Sequence, residues 1–312
     1  MNKEIGNWIF PLVIMGASLM LNNCKKEVTK KDPVITWANP AEITEGTLLS
    51  DTQLNATADV PGTFVYTPAI GSKLDIGANQ DLKVDFTPSD VSNYKTATKT
   101  VKITVIAPIV SGPNVTDIDG NLYHSITIGT QTWMVENLKT TKYNDGTTIP
   151  NVIDPTAWKT LTTPAYCWYY NDTVFNKVIF GALYNWYAVN TGKLAPTGWH
   201  VPTDAEWTQL TDYLGGDSLA GDKLKEAGTA HWHGPNTEAT NETGFTALPG
   251  GTFNELGYFT FVGEFCFWWS ATKDDTYSNY AWERHLYFYH DSGVYRANVD
   301  KKYGYSVRCV KD

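Results

Sequence analysis

The chain has 312 residues, room for more than one domain. Its 24 Lys and Arg stand against 33 Asp and Glu, and a net charge of −9 rules against a nucleic-acid partner, which needs clustered basic residues. Only 18% of residues are charged while 13% are aromatic, with 12 Trp and 18 Tyr, so the chain either packs ring-filled cores or displays rings on its surface.

The first segment reads as a targeting signal. Lys3 supplies a positive start offset by Glu4, residues 8–21 are apolar, and the run ends in Leu21-Asn22-Asn23-Cys24. An apolar run ending at a Cys resembles a bacterial lipoprotein signal, cleaved before a Cys that is then acylated. That resemblance implies a signal peptide at 1–23, a lipid anchor at Cys24, a membrane surface as partner, and a place in the cell envelope as an outer-membrane lipoprotein, periplasmic or surface-facing. Asn23 replaces the small residue usual before the Cys, and a plain secretory signal or an uncleaved anchor is the alternative. Residues 24–33 are polar and charged and form a tether. No later apolar run reaches 18 residues, so no internal membrane span is expected. Without Cys24 three cysteines remain, Cys167, Cys266 and Cys309. Export permits a disulfide, the odd count leaves one thiol free, and all three pairings stay open.

Residues 34–107 change to short alternating runs. Leu82, Val84 and Phe86 alternate with Lys83 and Asp85, Val101, Ile103 and Val105 alternate with Lys102 and Thr104, and residues 63–66 form a further strand. Pro61-Gly62, Gly71-Ser72 and Thr87-Pro88 punctuate them, the pattern of a small β-sandwich. The motifs Ile35-Thr-Trp-Ala-Asn-Pro40, Gly62-Thr-Phe-Val-Tyr-Thr-Pro68, Val84-Asp-Phe-Thr-Pro88 and Asn93-Tyr94 resemble a bacterial immunoglobulin-like repeat of cell-surface proteins. The resemblance implies a stalk without a site of its own.

Residues 108–114, with Pro108, Gly112 and Pro113, read as a linker, and 115–312 as a second domain. Asp119-Gly120 between apolar runs predicts a hairpin turn, and Asn144-Asp-Gly146 a second turn. Trp133 to Leu138 should enter the core, and residues 166–170 are strand-like and aromatic. Leu183, Trp186, Tyr187 and Val189 fall near helical spacing with Gly192 as the stop, predicting a first central helix. Pro196 to Pro202 reads as a turn and a short strand. A second helix starts at a capping box, with the Thr203 hydroxyl accepting from Glu206 N–H and the Glu206 carboxylate returning to Thr203 N–H. Trp207, Leu210 and Leu214 give it an apolar face, and Gly215-Gly216 ends it. Residues 218–227 form a third helix, with Leu219 and Leu224 buried and Lys223 and Lys225 exposed. Strands follow at about 245–251, 265–272, 281–288 and 306–310.

Several motifs now stand together: Asp117-Ile-Asp-Gly-Asn121, Gln131-x-Trp-Met134, Glu136-Asn-Leu138, Gly181-Ala-Leu-Tyr-Asn-Trp186, Pro196-Thr-Gly-Trp-His-Val-Pro-Thr203, Ala247-Leu-Pro-Gly-Gly251, Trp268-Trp-Ser270 and Ser306-Val-Arg-Cys-Val310. Over residues 115–312 they resemble the Fibrobacter succinogenes major paralogous domain, FISUMP, which occurs on exported bacterial lipoproteins. More distantly, Val201-Pro-Thr-Asp-Ala-Glu-Trp207 and Val307-Arg-Cys309 are similar to the formylglycine-generating enzyme family. This second resemblance implies a C-type-lectin-like α+β architecture. The resulting fold class is multidomain, an all-β immunoglobulin-like sandwich followed by an α+β lectin-like domain. The oxidase members use a close pair of late cysteines, which Cys266 and Cys309 do not form. Ala195 stands where many FISUMP relatives carry Cys, which removes one half of a disulfide to the strand of Cys309.

Candidate sites are few. His231-Trp-His233 would place two imidazoles on one side of a strand, as a metal pair requires, but lacks a third ligand, so an ordinary polar loop is expected. Asp117-x-Asp119-Gly-Asn121 has the oxygen content of half a calcium loop without its distant Glu. Asn171-Asp172 after Trp168 superficially resembles the sugar-binding motif of C-type lectins. Neither a nucleophile elbow nor a phosphate loop occurs. Glu206 is accounted for by its cap, and Arg308 is expected in an ion pair. The catalytic, metal and cofactor expectation is therefore none. The rings Trp168, Tyr169, Tyr170, Trp232, Trp282, Tyr287, Tyr289 and Tyr295 exceed what alternating strands can bury, and every second ring of Tyr287-Phe-Tyr-His290 should face outward. Exposed rings suit stacking on sugar faces, and Trp168, Tyr170, Trp232 and Trp282 are the expected ligand-binding residues. The functional expectation is a lipid-anchored, non-catalytic surface protein whose head binds glycans or another surface polymer. The alternatives are a formylglycine-generating-enzyme-like oxidoreductase and a structural adhesin with protein partners.

Overall fold

A computed structural model describes residues 29–289 and 292–312. The expected signal peptide and the expected anchor at Cys24 lie outside the described residues. The protein is mostly β-sheet with few helices and divides into two compact units. The first draws on Thr47–Lys73 and Asn79–Thr104 with residues 29–41, and the second on Val105–Asp312 with Glu42–Gly46 and Leu74–Ala78. No helix among the described residues is long and apolar enough to cross a membrane.

The early strands are β1 (Ile35–Thr36), β2 (Ile43–Thr44), β3 (Thr57–Ala58), β4 (Gly62–Thr67), β5 (Gly77–Pro88) and β6 (Ala97–Ile106). β1 pairs antiparallel with β3, β4 pairs antiparallel with β5, and β6 flanks β5 on its other side. The alternation read from sequence holds: Leu82, Val84 and Phe86 of β5 and Val101 and Ile103 of β6 are buried. Trp37 joins them, its indole N–H donating to Gln53 O at 3.0 Å.

The second unit opens with β7 (Val110–Ser111), β8 (Val115–Thr116), β9 (Leu122–Tyr123), β10 (Ser125–Ile128) and β11 (Gln131–Met134). β7 pairs with β10, so part of the expected linker is a strand of this unit. β8 and β9 form the hairpin predicted around Asp119-Gly120. Then come α1 (Pro155–Lys159), β12 (Tyr166–Trp168), α2 (Asn176–Phe180), β13 (Ala182–Tyr184), α3 (Trp186–Val189), β14 (Trp199–His200), α4 (Asp204–Tyr213) and α5 (Asp217–Leu224). The chain ends with β15 (Gly250–Phe253), β16 (Phe259–Val262), β17 (Phe265–Lys273), β18 (Tyr280–Tyr287), β19 (Tyr295–Asp300) and β20 (Val310–Lys311). A five-stranded sheet in the order β14-β20-β11-β10-β7 joins both ends of the unit, and β17-β18-β19 form a separate three-stranded sheet.

α4 is the element the sequence placed best. Its capping box is complete, with the Thr203 hydroxyl accepting from Glu206 N–H at 3.2 Å and the Glu206 carboxylate accepting from Thr203 N–H at 2.8 Å. His200 bridges Glu206 at 2.8 Å and Asp312 at 2.7 Å, tying the cap to the chain end. Trp207 buries its ring against Trp133 at 4.7 Å and Trp268 at 5.6 Å, and full burial of such a side chain contributes about 2–3 kcal/mol.

The first central helix is a correction. Residues 182–184 form β13, paired with β12, and α3 is a single turn capped by Asn185, whose side chain accepts from Ala188 N–H. Ala182, Leu183 and Tyr184 are all buried, so a strand covered on both faces imitates helical spacing. In α5, Leu219 is 55% exposed and Lys225 is buried, the reverse of the expectation. The reason is Gly221, whose N–H donates to Ser292 O at 2.7 Å and which faces the neighbouring backbone so closely that a Cβ would lie 2.5 Å from that oxygen. That contact sets Ala220, Gly221 and Leu224 inward and draws Lys225 in to Asp222 at 3.0 Å. The strand expected at 245–251 is β15, a few residues later, and at 306–310 only Val310 belongs to a strand.

Arg308 is also corrected: among the described residues it has no ion pair. Its guanidinium donates to Asn137 Oδ1, Phe245 O and Thr246 O and lies over the rings of Phe245 and Trp268. Burial without a carboxylate pushes its pKa down to about 9.

Candidate ligand-binding face

The register of β17, β18 and β19 builds one ring-bearing face. Phe265 pairs with Tyr287, Phe267 with His285 and then Tyr295, and Trp269 with Glu283 and then Ala297. Side chains alternate along a strand, so these residues share one face while Cys266, Trp268, Leu286 and Arg284 share the other. The rings stack in rows: Phe265 on Tyr287 at 4.5 Å, His285 on Tyr295 at 5.1 Å and 14°, and Phe267 on Tyr305 at 4.8 Å and 8°. Phe261, 47% exposed, joins the row against Phe265 at 5.1 Å. Phe265, His285 and Tyr287 are half-buried and Tyr295 is 43% exposed, so the rows open toward solvent at that end.

Glu283 lies at the deep end of this face. It is buried, its Oε1 is 2.9 Å from His285 Nδ1, and its Oε2 has no hydrogen-bond partner. Burial pushes its carboxyl above the usual range, opposed by His285 and Arg284. Beyond Nδ1, the His285 ring has no hydrogen-bond partner among the described residues, and its side chain keeps 21% exposure.

A second group of rings lies around residue 170. Tyr170 is 67% exposed and meets Tyr169 at 4.8 Å and Phe259 at 5.3 Å. Tyr170 and Asn171 both have positive φ, 49° and 56°, a conformation that costs non-glycine residues about 1–3 kcal/mol each. Val174, Phe175 and Val178 follow, each more than half exposed.

The expected ligand-binding residues do not come together. Tyr170 is exposed as expected. Trp168 and Trp232 are 5% and 2% exposed and their rings belong to apolar cores, so neither offers a face to a ligand. Trp232 donates its indole N–H to Ala247 O at 2.9 Å, the partner that lets its ring be buried. Trp282 is half-buried on the opposite sheet face, with the Arg296 guanidinium 3.3 Å from its ring centre. Tyr289 is exposed and Phe288 packs inward, the alternation expected.

Most of the polar candidates find partners within the protein, while Asn171 Oδ1 is buried without one. His231 turns to Glu226 at 2.9 Å and His233 toward Glu264 at 3.8 Å, on no common strand, and no metal-ready group of three occurs among the described residues. Asp117 accepts from Asp119 N–H, Asn121 N–H, the Asn121 amide and the Tyr123 hydroxyl, leaving its carboxylate fully used in the turn. Asp119 pairs with Lys142 at 3.1 Å and accepts from Thr141. Asp172 accepts from Val174 and Phe175 N–H in the turn that precedes α2. Cys167, Cys266 and Cys309 are free and buried, and burial pushes all three thiols up.

Glu283 and His285 are functional candidates that sequence reasoning missed. The available signal was Glu283-x-His285-x-Tyr287, three chemically distinct residues at strand spacing opposite Phe265-x-Phe267. Pairing them requires the register, which no local pattern encodes.

The model of the Fibrobacter succinogenes major domain matches residues 126–311. No curated protein and no solved structure matches the chain.

Proposed function

The chain belongs to the Fibrobacter succinogenes major domain family, and on that premise we propose a lipid-anchored, exported envelope protein whose C-terminal head binds glycans without catalysis. In this reading the first unit is an immunoglobulin-like sandwich serving as a stalk, and the second is a C-type-lectin-like domain. The observation that carries it is the half-open ring face of β17-β18-β19, where Phe265, Tyr287, His285 and Tyr295 stand beside a polar pair. Aromatic rings with a few placed polar groups are the ordinary make-up of sugar sites. Polysaccharide pull-down and glycan arrays with the purified chain test it. Retention is expected, and Tyr295→Ala should lower it while Trp282→Ala, on the opposite sheet face, should not. No retention by any polysaccharide would overturn the reading.

The oxidoreductase alternative requires a reactive thiolate, and three thiols buried and pushed up in pKa do not suit that role. The adhesin alternative draws on Tyr170, Val174, Phe175 and Val178, whose exposure within nine residues favours an apolar protein partner. Under that reading Phe175→Ser with Val178→Ser abolishes cell-surface adhesion and leaves polysaccharide retention intact.

A further inference from the structure

Ring stacking alone has no use for Glu283. A buried carboxylate is costly unless both oxygens are satisfied, yet only Oε1 has a partner. That partner, His285 Nδ1, lies between Phe267 at 5.4 Å and Tyr295 at 5.1 Å, with the imidazole partly open to solvent. We infer that His285 is the polar reader of the ring face, held by Glu283 as its positioning residue, and that its Nε2–H donates to the carboxylate of an acidic sugar. This rests on the glycan reading above.

The donor role follows from proton counting. With two protons on the pair, one sits between Glu283 and Nδ1 and the other on Nε2. This holds whether the shared proton belongs to the carboxyl or to the imidazole. Losing one proton would turn Nε2 into an acceptor, and it would also leave a net negative charge in a buried place, which burial opposes. A donor with imidazolium character bonds an anionic oxygen about twice as strongly as a neutral one. The chain's net charge of −9 repels an acidic polymer at range, but that repulsion decays over about 8 Å at physiological salt.

The surrounding groups leave this choice intact. β17 contributes Phe265, Phe267 and Trp269, all uncharged, and β19 contributes Tyr295 and Ala297. Tyr303 and Tyr305 follow, both hydroxyls pushed up first by burial, with Glu255 adding to the rise at Tyr303 and Glu283 then Glu255 to that at Tyr305. Arg284, on the reverse face of β18, pulls Glu283 down and engages Asp204 through Nη2 at 3.0 Å, its Nε and Nη1 being buried without partners. Glu264, next to Phe265, lies 3.8 Å from His233.

The test is calorimetric titration of the full chain with tetragalacturonate and with cellotetraose, at pH values from 5 to 9. The uronate is expected to bind about tenfold more tightly, the worth of one charge-assisted hydrogen bond. That preference should fall as pH rises and the pair loses its proton. His285→Gln should erase the preference and keep cellotetraose binding. Glu283→Gln should move the loss of preference to lower pH, a shift that a purely structural role would not produce. Equal binding of the two probes, or an unchanged pH profile in both variants, overturns the inference and leaves glycan binding standing. Binding of neither probe overturns both. Near-ultraviolet circular dichroism checks folding, and the partly exposed His285 carries the test if Gln at 283 perturbs the core.

Discussion

The two faces of the β17-β18-β19 sheet are written by alternate residues of the same strands, and they end in different states. On one face Cys266, Trp268, Leu286 and Arg284 are all at most 2% exposed, sealed beneath α4. On the other, Trp269 and Glu283 are buried, Phe265, His285 and Tyr287 are half-buried, and Tyr295 is exposed. Both faces are aromatic and both bury a charge. The covered face gives its Arg284 a carboxylate, Asp204 at 3.0 Å, and a hydroxyl, Thr208 at 2.9 Å. The open face gives its Glu283 a single imidazole. Ring content therefore says little about display, and the covering element decides it.

The contrast can be broken most forcefully on the covered side. Trp268→Ala opens a cavity among Trp207, Phe245 and Arg308 and also removes the indole N–H that donates to Asn137 Oδ1 at 2.8 Å, leaving that oxygen to the Arg308 guanidinium. A loss of about 3–5 kcal/mol in urea denaturation is expected. Thr203→Ala removes the cap that starts the covering helix and should cost about 1 kcal/mol, read as a lower denaturation midpoint.

On the open side the expected effects are smaller or opposite in sign. Glu283 has a folded pKa raised by burial, so its cost is absent below the carboxyl's unfolded pKa and grows as pH rises through the folded one. Glu283→Gln should therefore match the parent near pH 4 and be more stable at pH 7, and equal stability at both pH values would contradict the burial argument. Tyr295→Ala should change stability by no more than about 0.5 kcal/mol while weakening polysaccharide retention, the smallest thermodynamic effect on the face with the largest functional one.

Legibility in the sequence followed the range of the signal. The capping box at Thr203 and Glu206 involves atoms three residues apart, so the start of α4 could be read directly. The alternation of Leu82, Val84 and Phe86 is equally local, and β17 and β18 were readable within a residue or two. Residues 182–184 were misread because a strand buried on both sides carries no period-two pattern. Trp168 and Trp232 were expected outside because rings were counted without their partners, and Ala247 O, which satisfies Trp232, lies 15 residues away.

The sequence by itself determined family membership over 126–311, the β-rich character of the chain, the helix at Thr203 and the surplus of rings. Only tertiary structure decided which rings are covered, that Arg308 is held by carbonyl oxygens and rings, and that Glu283 meets His285 on a half-open face. Local hydrogen bonds and side-chain periodicity are properties of neighbouring residues and are written in order along the chain. Exposure depends on strand register and on which helix lies over which face, and those are settled by packing between residues far apart in that order.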